Sequence, residues 1–336
     1  MLELRVEAIR WETGDTATYF LREVLGKAIT YKAGQFITLV FQHHGEELRR
    51  SYSISSAPVD ELLAITVKRV PNGELSRFLL MHAKVGNVWQ AVEPAGRFVL
   101  DDTASAKDIF FFAAGSGITP ILSQIKFALA IDGASELHLI YSNRNLANTL
   151  FKAELDALQA GHPDRLQIIY LFSGDGQRLN NVGIEMLVQQ QLRHHMKQAQ
   201  FYLCGPFEYM RMVRLTLLYM GISKDHIRKE NFVLDIINVS EPPINFPPHK
   251  VRLIFDDEVH DIIAGENQSI LQAALQNNIQ LPYSCRTGMC STCVGKCTLG
   301  KVVMTANEVL TDRDITEGLV LTCTGYALGD DVVVEF

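Results

Sequence analysis

Three cysteines crowd one short stretch of this chain, Cys285, Cys290 and Cys293, in the pattern Cys-x4-Cys-x2-Cys, and a fourth, Cys323, stands well downstream. Few patterns constrain a fold more. Four thiolates at this spacing suit two irons bridged by two sulfides. The three-cysteine loop must then wrap round a small buried object and aim backbone N–H groups at sulfur. Gly288 gives the loop access to positive φ, and Ser291 and Thr292 are small enough for the backbone to close in. Four cysteines also suit zinc, but zinc knuckles usually bring two Cys-x2-Cys pairs and this chain has one. The spacing therefore favours a one-electron [2Fe–2S] centre with these four ligands, and it raises the question of what feeds it. A disulfide framework does not fit a chain of 336 residues with no secretory signal. Cys297, on an expected strand, reads as a small buried apolar residue rather than a ligand.

The length fits two or three domains. Of the net charge of −7, residues 249–336 carry −6, from 6 Lys/Arg against 12 Asp/Glu, and the preceding 248 residues carry −1. An acidic C-terminal module either steers towards a basic patch on a redox partner or simply keeps its surface solvated. No basic stripe supports nucleic-acid binding. The most apolar stretch, Ile109–Leu122, is broken by Gly115, Gly117 and Pro120, so no run reaches the length of a membrane helix. Met1-Leu2-Glu3 opens the chain without a basic region leading into an apolar one, and the expectation is a soluble cytoplasmic protein.

Four of the eleven prolines fall in Ser240-Glu-Pro-Pro-Ile-Asn-Phe-Pro-Pro248. Such a segment is a semi-rigid spacer, so residues 238–248 are expected to link a module at 249–336 to everything before it. Residues 1–103 read as all-β: Leu2, Leu4, Val6 and Ala8 alternate with polar residues, and Phe36–Phe41, Ser51–Ser55, Leu62–Val70 and Val88–Val92 are further short strands. This density predicts a small antiparallel β-barrel. Residues 104–237 change character. Strands at Asp108–Ala114, Glu136–Ser142, Leu166–Phe172 and Gln200–Leu203 alternate with helices following Gly117 and at Leu150–Gln159, Val182–Leu192 and Phe207–Tyr219. That alternation predicts an α/β domain on a parallel sheet. The last module has strands at Lys250–Phe255 and Glu258–Ile263, a helix at Ile270–Gln276 capped by Ser269, and a final strand at Val332–Phe336.

Two upstream constellations bear on chemistry. Alternation in Arg50-Ser-Tyr52-Ser53 puts a guanidinium and a phenol on one face, suited to a phosphate and to stacking on a flat ring system. Ser53 can bond an edge nitrogen of such a ring system. After the strand ending at Lys68-Arg69-Val70, Gly73-Glu-Leu75-Ser76 opens a short helix whose free N–H groups suit a pyrophosphate. Gly115-Ser-Gly117-Ile-Thr119-Pro120 directly follows a strand and opens a helix, again suited to a pyrophosphate. Cys204-Gly205-Pro206 ends the last expected parallel strand, where open α/β sheets place their ligands. Beyond it stands Glu230-Asn-Phe232.

The run Tyr283-Ser-Cys-Arg-Thr-Gly-Met-Cys-Ser-Thr-Cys293, with Leu321-Thr-Cys323, resembles plant-type ferredoxins over about residues 249–336, which implies a β-grasp domain. Arg-x-Tyr-Ser, then a strand, then Gly-x-x-Ser resembles the flavin domains of ferredoxin–NADP⁺ reductase-like proteins. That resemblance implies that Arg50, Tyr52, Ser53, Lys68, Gly73, Leu75 and Ser76 surround FAD. FMN serves one branch of the superfamily, and the phosphate-cradling Gly73–Ser76 segment favours FAD. Proline at the end of Gly-x-Gly-x-x-Pro is typical of the same superfamily, where Gly115, Gly117, Thr119 and Pro120, together with Gly205 and Pro206, would hold the nicotinamide dinucleotide. There Cys204 would lie beside the reacting nicotinamide carbon, Glu230 near it, and Phe232 against the flavin ring. Asp175, in Ser173-Gly-Asp175-Gly, leans towards NADH because an acidic residue prefers a free ribose hydroxyl, while Arg144 and Arg178 would favour the 2′-phosphate of NADPH.

The adjacent pairs His43-His44 and His194-His195 do not easily converge on one metal and read as solvated positions. No histidine in the cysteine loop supports a Rieske centre, and there is no hydrolytic triad. The order flavin, nicotinamide, ferredoxin resembles the phenylacetyl-CoA epoxidase reductases and other reductases of multicomponent oxygenases. It implies electron flow from NAD(P)H through FAD and the cluster to a protein acceptor, the terminal component of an oxygenase. Reductases of hybrid-cluster proteins share the order, and a redox-sensing binding protein without turnover would carry the same motifs.

Overall fold

The computed structural model describes residues 1–43, 46–71, 73–100, 107–131, 134–232 and 245–336. The chain divides into two compact units, Met1–Val233 and Leu234–Phe336.

Six strands open the first unit: β1 (Leu2–Thr13), β2 (Thr16–Glu23), β3 (Phe36–His43), β4 (Glu46–Ser53), β5 (Leu63–Lys68) and, after helix α1 (Glu74–His82), β6 (Val88–Ala95). They pair antiparallel in the order β4-β3-β6-β1-β2-β5, and an Ile54–Ile65 bridge joins the two edges into the expected barrel. Leu4, Val6, Tyr19, Leu39, Ile65 and Trp89 fill it. The expected alternation of β1 holds for Leu4 and Val6 but fails at Ala8, which is exposed. A bulge between Val6 and Ala8 shifts the register against β2, and a one-residue slip turns the following side chains to the other face.

The rest of the unit runs β7 (Asp108–Ala114), α2 (Ile118–Ile131), β8 (Glu136–Asn143), α3 (Lys152–Gly161), β9 (Leu166–Phe172), α4 (Asn181–Gln191), β10 (Gln200–Cys204), α5 (Phe207–Tyr219) and β11 (Ile227–Glu230). The five strands form a parallel sheet in the order β11-β10-β7-β8-β9. After Asp108, β7 is apolar because both faces are covered. Ile109, Phe111 and Ala113 pack with Ile121 and Ile125 of α2, whereas Phe110 and Phe112 pack with Ile184 of α4 and Val213 of α5. The chain steps outward from β7 to β9 and returns on the other side with β10, so the winding reverses between β7 and β10.

Helix α2 ties this sheet to the barrel. The Ser123 hydroxyl donates to the Ser56 carbonyl at 2.5 Å, Gln124 Nε2 donates to the Phe98 carbonyl at 2.6 Å, and Lys126 pairs with Asp60 at 2.5 Å. The expected boundary at 103/104 lies outside the described residues. At the far end of the sheet Asp108 accepts the backbone N–H of His194 at 2.7 Å and pairs with the His138 ring at 2.9 Å. His194 is therefore half-buried and anchored, not a solvated position as the sequence suggested.

The second unit contains β12 (His249–Phe255), β13 (Glu258–Ala264), α6 (Ile270–Gln276), β14 (Val294–Leu299), β15 (Val302–Met304), α7 (Asp312–Thr316), β16 (Leu319–Leu321), β17 (Gly325–Ala327) and β18 (Val332–Glu335). Its main sheet has the order β13-β12-β18-β14-β16, with β12 and β18 parallel and the other pairs antiparallel, a β-grasp layout. Ser269 caps α6 through a capping box with Gln272, and Ile270, Leu271, Ala273 and Ala274 bury its inner face. Residues 238–244 of the proline-rich segment lie outside the described residues. Its end is anchored: Phe246 stacks on Tyr326 at 4.3 Å and exchanges two hydrogen bonds with Asn267. Among the described residues no helix is long and apolar enough to cross a membrane.

Candidate functional site

The cysteine loop lies between α6 and β14. Two left-handed residues shape it, Arg286 at φ +58° and Gly288 at φ +78°. The Arg286 guanidinium sits over the Tyr283 ring at 4.3 Å, and a side chain on Gly288 would strike the Ala306 carbonyl at 2.5 Å. With the loop so bent, its amides point at sulfur. Thr287 N–H and Cys290 N–H donate to Cys285 Sγ at 3.4 and 3.3 Å, and Cys285 N–H donates to Cys290 Sγ at 3.5 Å. Thr322 binds the Cys293 carbonyl through its N–H at 3.1 Å and its hydroxyl at 2.9 Å, which brings the Cys323 segment alongside. Hydrogen bonds from Cys290 and Cys323 lower the Cys285 thiol and one from Cys323 lowers Cys293, while the donors Cys290 and Cys323 are themselves raised. Four adjoining sulfurs with inward-aimed N–H donors fit a [2Fe–2S] cluster. Cys297 is half-buried and spends its S–H on the Leu299 carbonyl at 3.3 Å.

In the barrel, Arg50 and Tyr52 share a face of β4. Arg50 is exposed, Tyr52 is half-buried opposite Ile37, and burial pushes its phenol upward. Ser53, next along the strand, is buried. Lys68 ends β5, 3.9 Å from Asp15. Gly73 precedes α1, and no side chain caps the helix. The Leu75 side chain belongs to the barrel core. The Ser76 hydroxyl accepts from Val70 N–H at 3.2 Å. With both side chains so engaged, it is the backbone at the start of α1 rather than the Leu75 or Ser76 side chain that would meet a pyrophosphate. An exposed guanidinium, a phenol face and an uncapped helix start together fit FAD.

The turns after β7 and β10 meet where the winding of the parallel sheet reverses. Gly115 leaves β7 at φ +54°, and its carbonyl accepts from the Tyr141 hydroxyl at 3.0 Å. The Thr119 hydroxyl closes the turn on the Ser116 carbonyl at 3.0 Å. Gly117 lies against the Cys204 carbonyl so tightly that an added Cβ would be 2.1 Å away, and a Cβ on Gly205 would be 2.9 Å from that of Ala114. Pro206 then starts α5. Open α/β sheets bind ligands in such a crevice. Glu230 is the register partner of Cys204. Burial raises its carboxyl to about 8; burial, then the Glu230 charge, pushes the Cys204 thiol well up. Phe232, two residues on, is 40 % exposed.

Asp175, Arg144 and Arg178 are all exposed at the same edge, and Gly174 N–H donates to the Arg144 carbonyl at 2.8 Å, tying the two loops together. Sequence reasoning missed three neighbours. Ser142 Oγ, Asn143 Nδ2 and the Tyr209 hydroxyl are buried without hydrogen-bond partners, at the C-terminal end of β8 and the start of α5. The signal was a Ser-Asn pair closing β8 directly after Leu139, Ile140 and Tyr141.

The sequence matches the oxidoreductase FAD-binding domain family over residues 3–100, the oxidoreductase NAD-binding domain family over 111–215 and the 2Fe-2S iron-sulfur cluster binding domain family over 254–328. It is 31% identical to a 1,2-phenylacetyl-CoA epoxidase subunit from Escherichia coli, across 99% of this chain and 97% of that protein. It is 30% identical to the ferredoxin reductase component of 3-ketosteroid-9-alpha-monooxygenase from Mycolicibacterium smegmatis, across 100% and 97%. The solved structure of phthalate dioxygenase reductase shares the fold, with a TM-score of 0.63 at 23% identity over 100% of this chain and 98% of that one. FAD, NAD(P)H and a [2Fe–2S] cluster are accordingly the groups these domains bind. The chain belongs to the family of oxidoreductases that join FAD-binding, NAD-binding and [2Fe–2S] domains, the family of that phenylacetyl-CoA epoxidase component and of the reductase components of monooxygenases.

Proposed function

We propose that this chain is an NAD(P)H-dependent reductase that delivers electrons to the terminal component of an oxygenase or hydroxylase. The observation that carries this is the full-length match, in one domain order, to components named for such systems. Bound FAD accepts a hydride as an electron pair and the [2Fe–2S] cluster takes electrons singly, which is the conversion that a two-electron donor and a one-electron acceptor require. The chain's own residues position and tune. Arg50 and the first turn of α1 neutralise the pyrophosphate, Tyr52 and Phe232 cover the flavin ring, Ser53 bonds its edge, and Lys68 adds positive charge. Gly115, Gly117, Thr119, Pro120, Gly205 and Pro206 shape the crevice for the dinucleotide. Cys204 keeps its proton and presents a neutral, water-excluding wall; Glu230 holds a proton at its carboxyl close to physiological pH. Asp175 favours the free ribose hydroxyl of NADH. Domain limits at 1–103, 104–237 and 249–336 and a cytoplasmic location belong to the same reading. The −6 charge of the ferredoxin module suits an acceptor with a basic face.

Combining the purified protein, NADH and terminal oxygenase components that act on an acyl-CoA or a steroid tests the proposal. Product should form with one of them and stop when Cys293→Ser replaces the wild type. Fast cytochrome c reduction without product from any oxygenase would remove the oxygenase from the reading.

A further inference from the structure

Within the cysteine loop the Thr287 hydroxyl is shut off from solvent and has no hydrogen-bond partner. Native folds leave few such groups, because an unpaired buried hydroxyl is costly. The backbone N–H of the same residue already donates to Cys285 Sγ at 3.4 Å. The hydroxyl lies beside that sulfur without reaching hydrogen-bond geometry to it. The neighbouring Thr292 differs, since its hydroxyl meets Cys290 Sγ at 3.4 Å. The unmet donor of Thr287 therefore lies on the side of the loop that holds Cys285 Sγ. Metal-bound thiolates and bridging sulfides are acceptors, and they gain negative charge when the cluster takes an electron.

Resting on the reading that this loop carries a [2Fe–2S] cluster, we propose that Thr287 sets the cluster's potential: its hydroxyl donates a hydrogen bond to a cluster sulfur at Cys285 and favours the reduced state. One electron enters and no bond is made or broken; the proton stays on Thr287. Hydrogen bonds to cluster sulfurs are among the factors that fix such potentials.

The test is a redox titration of the full chain followed by the EPR signal of the reduced cluster. Thr287→Val removes the hydroxyl and keeps the shape. Its one-electron equilibrium should move about tenfold towards the oxidised state, 59 mV lower, while Thr287→Ser stays with the wild type. An unchanged potential in Thr287→Val overturns the proposal. Where Thr287→Val fails to hold a cluster, Thr287→Ala must titrate below Thr287→Ser. Loss of the cluster from both Val and Ala variants, with Ser intact, would assign the hydroxyl to assembly and also overturn it. Wild-type protein with neither the EPR signal nor cluster absorbance would sink the electron-transfer reading itself, a result distinct from an unchanged potential.

Discussion

A Cβ placed on Gly117 would lie 2.1 Å from the Cys204 carbonyl oxygen. The glycine turn after β7 and the cysteine turn after β10 are thus in backbone contact, and only a residue without a side chain fits between them. Gly117→Ala must push the two strand ends apart, with an overpacking cost of about 1–3 kcal/mol. The variant should keep its FAD absorbance but lose at least about tenfold in the rate of flavin reduction by NADH, because misplacing a reacting group by an ångström costs that much or more. Stopped-flow traces that match the wild type would contradict this.

The Cys204–Glu230 neighbourhood makes a prediction about pH. The folded chain holds the Glu230 proton to about 8, whereas an ordinary glutamate releases it near 4.5. The folded state therefore binds more protons across that window, so this group's contribution to stability is full below about 4.5, falls as pH rises through about 8, and is constant above. Glu230→Gln cannot ionise and should flatten the fall of melting temperature over the same range. Parallel melting curves for wild type and variant would show that the carboxyl is not desolvated.

Tyr52→Ala removes the phenol face while leaving Arg50 in place. An aromatic contact of this kind is worth about 0.5–1.5 kcal/mol beyond its buried area, so FAD affinity should drop by roughly tenfold, read by ultrafiltration and flavin fluorescence. Undiminished occupancy would move the flavin away from β4.

Much of this arrangement was legible in the residues, and what was not has physical reasons. Helices α5 and α6 and strands β7 and β9 could be bounded closely because apolar content, caps and turn residues agree. β2 was missed because its side chains are buried at nearly every position, so no alternation betrays it. β11 was missed because Ile-Arg-Lys-Glu is a short polar edge strand. Three of the four candidate cluster ligands, Cys285, Cys290 and Cys293, were plain because they sit close in sequence. The Gly117–Cys204 contact was not: it joins residues far apart in the chain and exists only because β10 returns beside β7.

Asp175→Arg places a cation beside the Arg144 loop at the exposed end of β9. Preference should shift towards NADPH, seen as a lower KM for NADPH relative to NADH. An unaltered KM ratio would remove Asp175 from nucleotide choice.

The most direct test of the account is an anaerobic titration of the pure protein with NADH, followed together by visible absorbance and EPR. The account predicts bleaching of the flavin band accompanied by the EPR signal of a reduced [2Fe–2S] cluster, and in Cys293→Ser the bleaching alone. Flavin bleaching in the wild type with no cluster signal, or a cluster signal that persists in Cys293→Ser, would contradict it.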